Sequence, residues 1–280
     1  MATPSAATPA SDLPIRRIDR FDRILHAFLM TSFLGLSLTG LPLLFAHEPW
    51  AAKMAGLLGG YGVSGVIHRF CAVLLIGAFL THVGRLSRRI FIKKEAGLLW
   101  GPKSLVPQPR DLIQLYQHVR WFVGLGPRPK FDRFTYWEKF DYWAVFWGMG
   151  VIGSSGLMMW FPGFFSNFLP GWLFNIALLI HGEEALLAMV FIFTVHFFNG
   201  HVRPEKFPMD PVIFTGRLTE EELREERPAE YERLVRRNAL DAVRAAPPPH
   251  WEIVLGRVVV TVAVVLGWIM VFLALWALFG

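Results

Sequence analysis

The chain holds nine histidines: His26, His47, His68, His82, His118, His181, His196, His201 and His250. Five of them, His26, His68, His82, His181 and His196, fall inside long apolar runs or within a turn of their ends. An ionisable side chain in an apolar span is costly and marks function by default. A lone one serves equally well as a hydrogen bond to a neighbouring helix. Five at organised depths ask for more. His68 and His82 are 14 residues apart, and His181 and His196 are 15 apart. On α-helices those separations are about 21 and 22 Å, and each pair returns to within roughly 40° and 60° of one face. Imidazoles facing each other at two depths suit bis-histidine ligation of two iron porphyrins in a helix bundle. Zinc usually takes four closely spaced ligands and has little use for two sites about 20 Å apart. A rival from another class is a haem-free transporter or assembly factor whose histidines bind a metal or protons.

The elements that position these residues follow from composition. Of 280 residues, 54% are hydrophobic and 18% charged, which departs from a soluble globular chain. Five apolar runs approach the 20 residues that span a hydrocarbon core: Ile24–Phe45, Val63–Val83, Tyr142–Trp160, Trp172–Phe198 and Ile253–Leu278. Trp50, Trp137, Trp160, Trp172 and Trp251 stand near their ends, where amphipathic rings favour the headgroup region. The expected fold is an all-α integral membrane protein, a four-helix transmembrane bundle holding two b haems plus a fifth C-terminal transmembrane helix.

Charge sets the orientation. Arg16, Arg17, Arg20 and Arg23 precede the first run, and the segment from Arg85 to Lys139 adds Arg88, Arg89, Lys93, Lys94, Lys103, Arg110 and Arg120. The loop between runs one and two holds only Lys53, and Phe161 to Gly171 has no Lys or Arg. The positive-inside rule then places the N-terminus in the cytoplasm and the C-terminus outside, in a multi-pass protein of the inner (cytoplasmic) membrane. The net charge of +6 is read as topology signal and lipid contact, with no nucleic acid as partner. The single cysteine, Cys71, excludes an internal disulfide, covalent haem attachment through CxxCH and a four-cysteine iron–sulfur cluster.

Residues 1–20 read as a disordered cytoplasmic tail, 21–200 as the dihaem core with a cytoplasmic loop over 85–139, 201–250 as a charged cytoplasmic helical segment and 251–280 as the fifth span. Within the first loop, Asp111–Val123 reads as an interfacial amphipathic helix. Thr219 to Glu222 forms a capping box, Pro228 kinks or splits the helix that follows, and the charges of that helix read as a solvated face. Arg23, Arg69 and Arg85 adjoin ligand-bearing turns and either pair haem propionates or snorkel to phosphates. Glu183 and Glu184 relay protons or face headgroups. His201 reads as a surface residue. Glycines such as Gly40, Gly65 and Gly156 leave room for a flat macrocycle or for ordinary helix packing. No flavin, dinucleotide or nucleophile motif is present, so the redox chemistry would belong to the cofactors.

FDRILHAFL with GLSLTG, VIHRF, GLMMWFPGFFSNFLP and LLIHGEEALLAMVFIFTVH occur in this order over about residues 20 to 200. In these pieces the sequence resembles the cytochrome b subunit of respiratory formate dehydrogenase and its relatives in nickel–iron hydrogenases and thiosulfate reductases. The resemblance implies His68 with His181 as ligands of an outer haem b and His26 with His196 as ligands of an inner one. It also implies a quinone site, for menaquinone or ubiquinone, beside the inner haem near His196, Asn199 and Gly200. The implied partner is an iron–sulfur or multihaem cytochrome c subunit of a larger complex, set in membrane lipid. On the residues themselves His82 remains the alternative inner ligand; otherwise it lines the quinone pocket, joins His201 at a third haem or makes a plain hydrogen bond. A stand-alone carrier of the cytochrome b561 type, without a quinone site, is the second functional expectation.

Overall fold

The computed structural model describes residues 13–280. The described chain is mostly helical with one small sheet: β1 (Ile15–Arg16), α1 (Arg20–Leu44), α2 (Pro49–Leu57), α3 (Tyr61–Ser87), α4 (Pro109–Phe122), α5 (Tyr136–Gly148), α6 (Ser154–Trp160), α7 (Pro162–Phe165), α8 (Trp172–Phe191), α9 (Val212–Thr215), β2 (Arg217–Leu218), α10 (Glu220–Glu226), α11 (Pro228–Arg236) and α12 (His250–Phe279). Among the described residues, four helices are long and apolar enough to cross a membrane: Arg20–Leu44, Tyr61–Ile92, Trp172–Val202 and His250–Phe279. The run expected at Tyr142–Trp160 is not among these four. It is helical, as α5, a π-helical turn at Met149–Gly153 and α6, but its sequence is interrupted by Gly148, Gly150, Gly153, Ser154, Ser155 and Gly156.

Further π-helical turns extend α3 at Arg88–Ile92 and α8 at Ile192–His196 and Phe198–Val202. Hydroxyls accompany two of these turns. Thr194 Oγ1 donates to the Val190 carbonyl at 2.6 Å, and Ser155 Oγ to the Val151 carbonyl at 2.7 Å. A hydroxyl that takes the carbonyl four residues back competes with the backbone ladder and loosens the helix locally. The wider turn has a consequence for spacing. Fifteen α-helical residues overshoot a whole number of turns by roughly 60°; each residue of a π turn advances less, so Ile192–His196 takes back part of that excess between His181 and His196.

The chain divides into two compact units. One contains Ile24–Ser87, Trp143–Asp210 and Arg257–Gly280. In its core Leu41, Phe45, Met189, Phe193 and Phe197 pack with Ala263, Met270, Val271 and Ala274, so α12 lies against α1 and α8.

The other unit draws together the segment ending at Arg23, Arg88–Tyr142 and Pro211–Gly256. Ile15 in β1 pairs with Leu218 in β2 and joins Val212, Leu218 and Leu223 in a small core. Order thus reaches into the stretch read as a 1–20 tail, because Ile15 is an apolar plug only 3% exposed; residues 1–12 of that stretch lie outside the described residues. Thr219 caps α10, accepting from Glu222 N at 3.1 Å, while Glu222 accepts from Thr219 N at 2.7 Å. α10 ends at Glu226 and α11 begins at Pro228, as a helix-breaking proline requires. The charges expected as a solvated face are partly internal. Glu230 is buried and takes Arg17 at 2.6 Å and Arg133 at 3.1 Å. Arg227 reaches Glu138 at 2.9 Å and Arg233 reaches Asp132 at 2.6 Å. Burial and then the Arg227 guanidinium push Arg17 down to about 10, with Glu230 acting in the opposite direction. Removing one partner from such a buried pair costs about 3–5 kcal/mol, because the other charge is left uncompensated.

Candidate functional site

His68 of α3 and His181 of α8 stand edge to face, with ring centroids 6.3 Å apart and planes at 66°. Two imidazoles on opposite sides of one metal ion, each nitrogen about 2 Å from it, have ring centres roughly 6 Å apart. The hydrogen bonds around the pair fix which nitrogen is offered. Thr39 Oγ1 donates to the Gly35 carbonyl at 2.7 Å and lies 3.0 Å from His68 Nδ1. A hydroxyl has one proton, so with that proton on Gly35 its oxygen accepts from His68 Nδ1–H, and Nε2 carries the lone pair. His181 Nδ1 donates to the Ile152 carbonyl at 3.0 Å, with Ser155 Oγ at 3.3 Å. A carbonyl only accepts, so His181 likewise presents Nε2. Ile152 lies in the π turn between α5 and α6.

Two glycines let neighbouring backbone approach these rings. A Cβ at Gly40 would meet His68 Cε1 at 3.2 Å, and one at Gly156 would meet His181 Cε1 at 3.0 Å. Thr39 and Ser155, which complete the surroundings, are both buried. The spacing, the common tautomer and the donor set fit an iron held between two imidazoles, with the outer partners of each ring fixing its orientation.

A second group gathers His26 of α1 with His196 and His201 at the end of the α8 segment; the three are electrostatic neighbours. His196 ends one π turn and His201 is the penultimate residue of the next, and Phe197 packs against both, with centroid distances of 6.3 and 5.9 Å. His201, expected at the surface, is half-buried, and its Nδ1 is enclosed with no hydrogen-bond partner among the described residues. The group therefore offers three imidazoles where bis-histidine ligation needs two. No cluster of three or more His, Cys, Asp or Glu poised to hold a metal ion occurs among the described residues. Two-ligand haem binding requires none.

The other expected residues are placed as follows. His82 stands against Phe146 of α5, at 6.3 Å and 71°. Arg23 pairs with Glu252 at 3.0 Å, and the Arg69 guanidinium lies over the Trp160 ring at 6.0 Å. Asn199 and Gly200 sit in the π turn Phe198–Val202, where the Gly200 carbonyl accepts from Asp210 N at 3.0 Å. Glu184 accepts from Trp147 Nε1 at 3.2 Å. His47 is exposed beside Glu48, and His118 is buried among Trp121, Phe122 and Trp137.

Sequence reasoning missed Thr39, Ser155 and the Ile152 carbonyl. A buried hydroxyl one turn from a glycine is a weak signal, and a backbone carbonyl gives none. His201 had a signal, its five-residue interval from His196, which coincides with one π turn.

Residues 17–205 match the family described as prokaryotic cytochrome b561. A search of the curated proteins found no match.

Proposed function

The chain belongs to the prokaryotic cytochrome b561 family and is a multi-pass membrane cytochrome b; from this premise we propose that it is the dihaem membrane subunit of a respiratory oxidoreductase, passing electrons between a redox partner outside and a quinone near the cytoplasmic face. The observation that carries the reading is the His68–His181 pair, 6.3 Å between centroids with both Nδ1 atoms engaged. These two histidines hold the outer haem b. His26 and His196 hold the inner one, with His82 the alternative to His26. When bound, haem supplies one-electron iron redox chemistry.

The chain's own residues do the rest. Thr39, Ile152 and Ser155 orient the outer imidazoles, and Gly40 and Gly156 keep their flanks clear. His196, Asn199 and Gly200 border the place proposed for the quinone. Arg23 is engaged with Glu252, which favours a structural role over propionate binding, whereas Arg69, packed on Trp160, keeps the propionate role. The bundle of α1, α3, α5–α6 and α8 forms the haem-binding core and α12 the added fifth span. The N-terminus lies in the cytoplasm, the C-terminus outside, and the membrane is the inner one. The outer partner is an iron–sulfur or multihaem cytochrome c subunit.

The family also favours a second reading, a stand-alone b561-type carrier without a quinone site. An absorption spectrum of the purified protein, followed during quinol addition, separates the possibilities. The proposal expects a Soret band that shifts on quinol addition and an inhibitor of quinone sites that blocks the shift. Reduction by hydrophilic donors alone supports the stand-alone carrier, and a protein without a Soret band defeats both haem readings.

A further inference from the structure

α4 is held to the protein by two polar residues on one flank: Asp111 and His118 are buried, Asp111 receives Lys139 Nζ at 2.8 Å on both carboxylate oxygens, and His118 Nδ1 lies 3.0 Å from the Tyr136 hydroxyl, while Gln117 and Arg120 are exposed. The start of the helix is fixed as well, with Pro109 in its first turn and Gln108 N donating to Asp111 Oδ2 at 2.6 Å. These anchors set the rotation of α4 about its axis. Leu112, Tyr116, Val119 and Val123, spaced four, three and four residues apart, then point outward on one arc within roughly 40° of a common direction. They are 72%, 63%, 53% and 62% exposed, and Phe122 beside them is 70% exposed. A contiguous apolar stripe of this size marks a surface that something covers.

Charge indicates what covers it. The segment 85–139 carries twelve Lys and Arg against four Asp and Glu. All four acids are consumed internally: Glu95 by Arg89, Asp111 by Lys139, Asp132 by Arg233 and Glu138 by Arg227. Arg120 on α4 and Lys94 and Lys103 in the segment before it are exposed, whereas Lys130 is engaged by Glu232 at 2.7 Å. Trp100 in the same segment is 65% exposed. An apolar arc flanked by cations and an indole matches the interface of an anionic bilayer, where acyl chains meet phosphates. Chain length permits it, since sixteen residues, 93–108, separate the membrane-crossing segment Tyr61–Ile92 from α4.

We propose that α4 lies along the surface of the membrane, with Leu112, Tyr116, Val119, Phe122 and Val123 in the acyl-chain boundary and the basic residues beside them on anionic lipid phosphates. It acts as an interfacial anchor for the unit that contains it.

The test uses the full-length protein in nanodiscs of phosphatidylcholine and phosphatidylglycerol at about three to one. Spin labels are attached to Leu112→Cys, Tyr116→Cys and Val119→Cys, with Gln117→Cys as the control on the opposite flank of the helix. Cys71 is buried, and the unsubstituted protein gives its background labelling. The proposal expects the first three labels to collide readily with dissolved oxygen and poorly with a water-soluble nickel complex, with the reverse at position 117. It also expects this contrast to shrink when phosphatidylglycerol is omitted. Free collision with the nickel complex at 112, 116 and 119 overturns the proposal by showing a water-exposed face. Shielding from both reagents there overturns it in favour of a covering protein, a second copy or another subunit.

Discussion

The two groups of histidines in the membrane-crossing unit are built to different standards. At His68 and His181 each ring has a second partner that fixes its tautomer, and a glycine that clears its flank. At His26, His196 and His201 a ring of α1 meets two from consecutive π turns, and one ring nitrogen of His201 is enclosed with no hydrogen-bond partner among the described residues. The first arrangement specifies one ligand geometry. The second leaves a choice of ligands and a polar group to spare. π turns at functional positions are a recurring device for giving a helix this local freedom.

The largest effect that sharpens the comparison comes from the ligand choice in the second group. His26→Ala is expected to lose one of two b haems while His82→Ala keeps both, measured as haem per polypeptide. The opposite result assigns His82 as the inner ligand and withdraws the quinone site placed near His196. A smaller effect is expected at the first pair from Thr39→Val. Haem content stays unchanged, but loss of the acceptor for His68 Nδ1–H makes the ligand less electron-rich, so the midpoint potential of that haem alone rises in a redox titration. Equal shifts of both haems, or none, would remove Thr39 from its positioning role.

Much of this was legible in the sequence because helical periodicity is local. The positions of the apolar runs, the two depths of histidine and the interval from His68 to His82 depend only on rise and turn. So did the capping box at Thr219 and the break at Pro228. What was hidden depends on partners distant in the chain. Arg17 and Glu230 are 213 residues apart, so the charges of α11 read as solvated although some are buried. The interleaving of the segment ending at Arg23 with Arg88–Tyr142 and Pro211–Gly256 into one unit has no signature in any of its pieces. The run at Tyr142–Trp160 has the length expected of a span, yet its glycines and serines lower its hydropathy, and it is not among the four helices of the described residues that are long and apolar enough to cross a membrane.

The smallest expected effect lies in the unit that contains Arg88–Tyr142 and Pro211–Gly256. Burial alone would raise the Glu138 carboxyl, but the guanidiniums of Arg227 and Arg17 and the bonds from Thr135 outweigh it and hold the group below the ordinary carboxylate range. A depressed folded-state value contributes stability above the ordinary range, and that stability is lost as pH falls through the folded value. Thermal unfolding of wild type should therefore move to lower temperature on mild acidification, and Glu138→Gln should start lower and respond less. An identical acid response in the two proteins would dismiss this contribution.

The central claim is that His68 and His181 share one haem iron while a second haem is held elsewhere. It is tested most directly by the pyridine haemochrome of purified wild type and of His68→Ala, each referred to polypeptide concentration. The account predicts two b haems in the wild type and one in the variant, with the remaining haem spectrally intact. One haem in both proteins, or two in both, would contradict it.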